Sequence, residues 1–328
     1  MPSLNIFQDD AFSLSALTAA IQNVPYQPGR IGASGLFGEE GLISLDAYIE
    51  VSEGVLSLIP VSQRGGAASP MEHGSRTAKS FRAAHLQKDD LVVADSIIGV
   101  RSFGSETEIE TVAKVVAQRL APMRNSIEYT LESHRLAAIK GTFYDAAGNS
   151  VSLFTEFGVT QQTVNFALTT ATTKVRQKVL DTLEKVEDAL GGLSFSGVRC
   201  FCGKNFWAEL IEHPLVKETY LASQAASALR ADPRMEFEFG GIMFERYRGT
   251  SAVKIADDEA FAVPEGVTDL FITRFAPGDF IEAAGTLGQR LYARQWELAN
   301  GKGIQLEAQS NPINLCTRPR AVIKLTKS

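Results

Sequence analysis

A long amphipathic segment at residues 105–140 constrains the fold of this chain more than any other feature of its sequence. Ser105 followed by Glu108 forms a capping-box pattern, which is typical of a helix start. A helix over this segment would span about 54 Å at 1.5 Å per residue, so it needs packing partners along most of its length. The apolar residues recur at intervals of three and four, the spacing of one helix face; they are Ile109, Val112, Val116, Leu120, Met123, Ile127 and Leu131.

Pro122 lies inside this predicted helix. A proline in a helix interior removes one backbone hydrogen bond and clashes with the preceding turn. We therefore expect a bend close to residues 119–122. Gly141 is placed to end the helix, because glycine readily adopts the left-handed conformation that often follows a last helical turn.

A long hairpin is predicted before the helix. From Ile43 to Val61 apolar residues recur at odd positions, which is the period of a half-buried strand. Residues 63–75 are rich in glycine and small residues and predict a turn, after which residues 77–93 can return as a second strand. An isolated two-stranded ribbon is marginally stable in water, so this hairpin needs another surface on which to lie.

The tip of the predicted hairpin is basic, although the chain carries 32 lysine and arginine residues against 38 aspartate and glutamate residues, a formal net charge of −6. Between residues 64 and 88 the only acidic residue is Glu72. Two interpretations are open: a solvated basic loop, or a loop that docks on an acidic surface of a neighbouring copy, where charges set register and partner choice. The second interpretation predicts contacts between copies at Arg64, Gly65, Gly66, Arg76, Lys79 and Arg82.

The rest of the chain mixes helical and strand patterns, which is typical of an α+β fold. An apolar stripe from Val175 to Leu190 predicts a helix that Gly191 ends, and Val198, Cys200 and Cys202 alternate as a buried strand face does. A length of 328 residues exceeds the usual size of one hydrophobic core. Two lobes are therefore predicted.

The sequence contains no arrangement that we identify as a catalytic, cofactor or metal site. Cys200, Cys202 and Cys316 are too few and too unevenly spaced for a disulfide framework, which indicates a reducing compartment, and no second Cys/His pair completes a zinc site. The adjacent acids Asp257 and Asp258 are more typical of a solvated turn than of acid and base catalysis. A soluble enzyme that uses these acids or the Cys200/Cys202 pair stays open as an alternative.

No membrane contact and no sequence-specific binding of nucleic acid is predicted. The first ten residues carry no basic residue and no long apolar core, so we expect neither a secretory signal nor a spanning helix. The negative net charge disfavours general binding to DNA phosphates.

Two blocks towards the end of the chain carry a resemblance to a known family. The first spans residues 275–288, and the second spans residues 310–319. In order and spacing they resemble the lambda-type capsid protein E family of tailed bacteriophages, which usually has alanine and asparagine where Gly278 and Gly285 stand here. Weaker matches extend the resemblance from Leu42 to Arg320. The motif residues in the two blocks are Ala276, Pro277, Asp279, Ser310, Asn311 and Pro312.

The resemblance implies the HK97-type capsid fold, an α+β fold. Its implied segments are an N-terminal arm (1–41), an extended loop (42–93), a peripheral domain (94–192) with a spine helix (105–140), an axial domain (193–288) and a return to the peripheral domain (289–328). It also implies a major capsid protein whose hexamers and pentamers close an icosahedral shell around double-stranded DNA. An encapsulin-like cargo shell is the alternative that shares this fold.

The resemblance further implies the partners and the location of the protein. The expected partners are further copies of the chain, a portal protein, a separate scaffolding protein and a decoration protein, and no cofactor is expected. The expected location is the host cytoplasm during assembly and the virion afterwards. Some relatives of this fold crosslink a loop lysine to an asparagine, for which Lys79 with Asn300 or Asn311 is the candidate pair.

Overall fold

The computed structural model describes residues 10–26, 29–52, 76–93, 108–222, 236–299 and 301–328, and it confirms the predicted α+β fold. The helices are α1 (Leu14–Asn23), α2 (Arg30–Ala33), α3 (Glu108–Ile139), α4 (Leu153–Phe157), α5 (Val175–Leu190), α6 (Lys204–Glu212) and α7 (Pro214–Ala222). The strands are β1 (Gly38–Gly41), β2 (Asp46–Ser52), β3 (Arg76–Arg82), β4 (Leu86–Val93), β5 (Thr142–Tyr144), β6 (Ser150–Ser152), β7 (Thr163–Asn165), β8 (Gly197–Cys202), β9 (Phe237–Phe239), β10 (Ile242–Arg246), β11 (Glu259–Glu265), β12 (Phe271–Phe275), β13 (Tyr292–Glu297), β14 (Gly303–Ser310), β15 (Pro312–Cys316) and β16 (Ile323–Thr326).

The predicted long helix is α3. It is helical through Pro122 and ends at Ile139, just before Gly141, while its predicted start at Ser105 lies outside the described residues. The apolar face that the periodicity predicted is buried at Val116, Leu120, Met123, Ile127 and Leu131. The bend at Pro122 stays a prediction.

Helix α3 packs against α1 and against a three-stranded antiparallel sheet of order β13–β14–β4. Ile304, Leu306 and Ala308 of β14 point towards the helix and are buried. The described part of the predicted arm includes α1, which packs on its own subunit with Leu17 and Ile21 buried.

The predicted hairpin is correct at its base. Strand β2 pairs with β3 in antiparallel register from Asp46↔Arg82 to Ser52↔Arg76. The tip at residues 53–75, which holds the predicted contact residues Arg64, Gly65 and Gly66, lies outside the described residues.

The prediction of one return strand over residues 77–93 is wrong. This segment forms two strands in different sheets, because β4 pairs with β14 and not with β2. The chain crosses between the sheets at Ala83 and Ala84, both buried, whose backbone N–H groups donate to the carbonyl oxygens of Leu45 and Pro312. Small side chains let the backbone pass through this packed junction.

A six-stranded sheet of order β7–β16–β11–β8–β10–β9 forms the second lobe with α5 and α6. Cys200 and Cys202 of β8 are buried as predicted, and Phe201 on the opposite face is buried too, because β8 is a central strand covered on both sides. Strands β7 and β16 reach this sheet from outside the predicted axial segment 193–288, and β12 leaves that segment to join β1 and β15. The five-segment division stays a prediction.

We expect His134 of α3 to make the subunit sensitive to acid. Its ring lies 4.8 Å from the ring of Tyr144, and burial lowers its pKa from 6.5 to about 4. The unfolded chain binds a proton near pH 6.5 and the folded chain does so only near pH 4. Stability is therefore complete above pH 6.5 and falls as the pH drops towards 4, by about 3 kcal/mol at most.

Urea denaturation at several pH values measures this effect. His134→Gln cannot titrate, so the difference in stability between wild type and variant should change between pH 7 and pH 4. Equal slopes for the two proteins would contradict the assignment.

Candidate assembly surfaces

A line of buried charged residues follows one face of α3. Arg124, Glu128, Glu132 and Arg135 are spaced by four, four and three residues, and all are buried. A buried charge costs stability unless it is paired and hydrogen-bonded, so the partners of these residues show what the face holds.

Arg124 holds the end of α1. Its Nη1 donates to the carbonyl oxygens of Ile21 (2.7 Å), Gln22 (2.5 Å) and Val24 (2.6 Å), and its guanidinium lies 4.1 Å from the ring centre of Tyr26. The last carbonyls of a helix have no partner inside the helix and carry partial negative charge. The buried guanidinium of Arg124 supplies hydrogen-bond donors to these carbonyl oxygens and a positive charge that opposes their partial negative charge.

Glu132 holds the start of α2. Its carboxylate accepts from the backbone N–H groups of Ile31 (2.8 Å) and Gly32 (3.0 Å) and from the hydroxyl of Tyr247 (3.1 Å). Tyr247 directly follows β10 of the second lobe. One carboxylate therefore joins α3, the N-terminal segment and the second lobe.

A second set of ion pairs connects the same helix to β1. Arg290 lies 2.6 Å from Glu128 and 2.8 Å from Glu39, and Arg135 lies 2.5 Å from Glu39. Glu128 and Arg135 are buried, so these contacts gain more from the low dielectric than surface pairs do. Sequence analysis missed the whole network.

The two motif blocks meet in space. Strand β12 pairs with β15, which places Pro312 opposite Phe275. Asn311 is buried, its Nδ2 donates to the carbonyl of Pro277 (2.9 Å), and its carbonyl accepts from the N–H of Ala276 (2.9 Å). An Asn311 crosslink would require this side chain to leave its buried position.

Two further motif residues, Ser310 and Asp279, make hydrogen bonds beside the place where β12 and β15 pair. Ser310 Oγ donates to the carbonyl of Arg290 (2.7 Å), and Gln309 Nε2 donates to Asp279 (2.7 Å). Gly285 has φ +73°, the left-handed conformation that asparagine also tolerates, and this accounts for the exchange of these two residues between the chain and the family pattern.

The base of the extended loop exposes both charge and apolar surface. Lys79 lies 3.7 Å from Glu156 of the same chain, and Arg82 is exposed on β3. Ile43 and Tyr48 are each 68% exposed, unusual for large apolar side chains. Among the predicted loop residues, Lys79 and Arg82 are the ones whose side chains the structure describes, and Lys79 is paired within its own chain.

The residues that could have carried chemistry are packed or paired. The cysteines are free and buried, and burial raises the pKa of Cys316 to about 12. Asp258 is bound by Asn205 (2.9 Å) and Lys327 (3.1 Å). Within the described ranges, no group of three or more histidine, cysteine or acidic side chains could hold a metal ion, and no helix is long and apolar enough to cross a membrane.

Comparisons with known proteins agree with this architecture. The sequence matches the family described as phage major capsid protein E over residues 13–327. The major capsid proteins of Pseudomonas phage KPP10 and Salmonella phage Felix O1 are 28% and 26% identical to this chain, over 95% of it and over 96% and 95% of their own lengths.

A solved structure shows the same fold. The capsid structure of Cyanophage P-SCSP1u superposes with a TM-score of 0.54 at 11% identity and covers 92% of this chain and 89% of its own. The predicted HK97-type capsid fold is therefore confirmed.

Proposed function

This chain belongs to the phage major capsid protein E family, and from that premise we propose that its copies form hexamers and pentamers that close an icosahedral shell. The family match, which spans nearly the whole chain, carries the proposal. A protein of a capsid family has no implied catalytic step, and its functional surfaces are the contacts between its copies.

The shape of the subunit supports this role. The β2–β3 ribbon pairs only with itself among the described strands, and one of its faces packs on the subunit core through Ala47 and Phe81. Tyr48 on its other face and Ile43 just before it are exposed. Two-stranded ribbons gain stability when a further surface covers them. A neighbouring copy supplies that surface at the same place on every subunit.

The extended loop is proposed to carry contacts between copies, at Arg64, Gly65, Gly66, Arg76 and Arg82. Lys79, which already lies beside Glu156, contributes less than the other cations. Each contact is weak alone but is repeated around every ring of the shell.

The spine helix is proposed to bend at Pro122 in a precursor shell and to relax on maturation. Pro122 has no N–H, so the carbonyl of Gln118 lacks its helical partner. Gln118 and Pro122 are both exposed, where water can bond the freed carbonyl. Bending there costs little because no buried hydrogen bond is broken.

The shell is proposed to enclose double-stranded DNA without sequence-specific contacts, in the virion, after assembly in the host cytoplasm. A net charge of −6 supports an inner wall along which DNA slides. A portal protein, a separate scaffolding protein and a decoration protein are the proposed accessory partners.

Deleting residues 65–75 should abolish shells without unfolding the subunit. The deletion removes the hairpin tip and leaves the β2–β3 base and both described cores in place. Negative-stain microscopy of purified wild type should show closed shells of fixed diameter, and the variant should show none. Thermal unfolding of the two proteins should coincide.

Two results would contradict the proposal. Normal shells from the deletion variant would show that the loop is not needed for assembly. Wild-type protein that stays monomeric even when it is produced together with the proposed scaffolding protein would contradict the capsid role itself. Shells that contain cargo protein instead of DNA in infected cells would favour the encapsulin-like alternative.

A further inference from the structure

Helix α5 buries one face and exposes the other. Valine and leucine side chains on the buried face pack against the second lobe. The exposed face carries a row of residues spaced by four, which are neighbours on a helix surface and form one ridge. The residues of this ridge are Arg176, Leu180 and Glu184, and all three are exposed.

The charges of α5 run against the dipole of the helix. Lys174 and Arg176 lie at its start, and Glu187 and Asp188 lie in its last turn. The first turn holds no acidic residue and the last turn holds no basic one. Helices are stabilised by acids near the N-terminus and by bases near the C-terminus. The order of charges in α5 therefore does not serve the stability of the helix itself.

Arg176 and Glu184 make no ion pair with any described part of their own chain. Within the described ranges, no carboxylate oxygen lies within 4 Å of Arg176, and no cationic nitrogen lies within 4 Å of Glu184. The two residues are eight positions apart, about 12 Å along the helix, which is too far for them to pair with each other. Leu180 lies midway between them and is 45% exposed. An ion pair between these two residue types therefore needs two helices.

The ridge is complementary to itself when a second copy lies antiparallel to it. Arg176 and Glu184 lie equally far from Leu180, about 6 Å along the helix on either side. A two-fold axis through Leu180 therefore places Arg176 of each helix opposite Glu184 of the other. Leu180 then meets the same residue of the second copy, and the leucine pair lies between two ion pairs. A parallel copy would instead bring like charges together.

A polyanion such as double-stranded DNA fits this face less well. Lys174 and Arg176 attract phosphate groups, but Glu184 lies only about 12 Å from Arg176 along the same ridge and repels them. Glu187 adds a further negative charge beside it. The face therefore favours a partner that carries both charges in the same order, as a second copy does.

We propose that α5 packs antiparallel on α5 of a second copy, about a two-fold axis at Leu180, with an Arg176–Glu184 ion pair on either side. This inference rests on the proposed function. The contact is isologous, whereas the contacts within a hexamer or pentamer ring are heterologous and use other surfaces. An icosahedral shell contains two-fold axes, so it has places at which this contact can form. One such contact is small, and its repetition over the shell adds to its effect.

An introduced cysteine tests the axis. Leu180→Cys should form a disulfide between copies in oxidised shells, because the axis brings this position opposite itself and a disulfide needs Cα atoms within about 7 Å. The native cysteines are free and buried, so they do not compete. Glu187→Cys is the matched control, since it is exposed on the same helix but the axis places its two copies about 21 Å apart. On a non-reducing gel, Leu180→Cys should give at least about tenfold more dimer than Glu187→Cys.

Charge reversal in the Leu180→Cys protein tests the ion pairs. Arg176→Glu alone places acids opposite acids, and Glu184→Arg alone places bases opposite bases, so each should lower the yield of dimer about tenfold. Both substitutions in one chain should restore the yield, because the ridge is again complementary to itself. An equal mixture of the two single variants should also restore it, since an acidic ridge then faces a basic one. Loss of shells in the two single variants alone, with unchanged thermal unfolding, would support the pairing in the same way.

Negative-stain microscopy of the same samples distinguishes failure of the pairing from failure of the capsid role. Closed Leu180→Cys shells with no more dimer than the Glu187→Cys control would overturn the pairing and leave the capsid role intact. Protection of the introduced cysteine from a maleimide without dimer formation would assign the face to a different surface or to DNA. Equal yields of dimer in all charge variants would show that the ion pairs do not form. Wild-type protein that forms no shells when produced with the scaffolding protein would contradict the capsid role instead.

Discussion

Replacing Glu132 with alanine should lower the free energy of unfolding by about 3–5 kcal/mol. The carboxylate accepts two backbone N–H groups, from Ile31 and Gly32, and the hydroxyl of Tyr247. Ile31 and Tyr247 are buried, so water cannot easily replace the lost acceptor. Urea denaturation followed by circular dichroism measures the change.

Two companion variants make this result specific. Glu132→Gln keeps one acceptor oxygen and nearly the same volume, so it should cost less than the alanine variant. Glu184→Ala removes an exposed carboxylate of α5 and should change stability by less than about 0.5 kcal/mol. Equal stability of Glu132→Ala and Glu184→Ala would show that the Glu132 contacts contribute little.

Limited proteolysis tests whether Glu132 also holds the N-terminal segment in place. Glu132 and Arg124 are the buried groups of α3 that bind the backbone of the N-terminal segment. Trypsin should therefore cleave at Arg30 faster in Glu132→Ala than in Glu132→Gln. Unchanged cleavage would mean that apolar packing of α1 alone holds the segment.

The long helix could be predicted because its signal is local. Its apolar residues recur at helical spacing within one segment, and burial of that face follows from the pattern alone. The charged line on the same helix could not be predicted. Arg124 and Glu132 have the spacing of a solvated helix face, and their partners are about a hundred residues away in sequence.

The prediction of a single return strand over residues 77–93 was wrong for a related reason. Alternation of apolar and polar residues indicates a strand but not its partner. Residues 77–93 keep the pattern of one strand, while Ala83 and Ala84 carry the chain from one sheet to another. The small size of these two residues is the only local sign of that crossing.

The sequence alone also does not show which acidic residues have a charged partner. Asp89 and Asp90 are adjacent acids in sequence, yet Asp90 pairs with Arg119 (3.7 Å) and Asp89 has no such partner in the described part of the chain. Only the fold separates a paired acid from an unpaired one. The motif residues were located by resemblance, and the β12–β15 pairing explains why the two blocks occur together.

Replacing Gly288 with alanine should be the most damaging single methyl addition at the motif junction. An added Cβ would overlap the carbonyl oxygen of Phe275 and lie 2.7 Å from the backbone carbons of Phe275 and Ala276. The N–H of Gly288 also donates to Leu42 (2.7 Å), so the glycine is held between two backbone segments. Because backbone atoms cannot rotate away, we expect a loss of about 3 kcal/mol or more.

Gly285 supplies the matched comparison three residues away. No atom lies within 4 Å of an added Cβ there, so Gly285→Ala adds only the strain of φ +73°, about 1 kcal/mol. Gly285→Asn should cost less still, because asparagine tolerates that conformation. Thermal unfolding should rank the variants Gly285→Asn, Gly285→Ala and Gly288→Ala in order of decreasing stability. Equal midpoints for the two alanine variants would mean that the junction between Leu42 and Phe275 yields to an added methyl group, and that the chain entering the extended loop is held less rigidly than its contacts indicate.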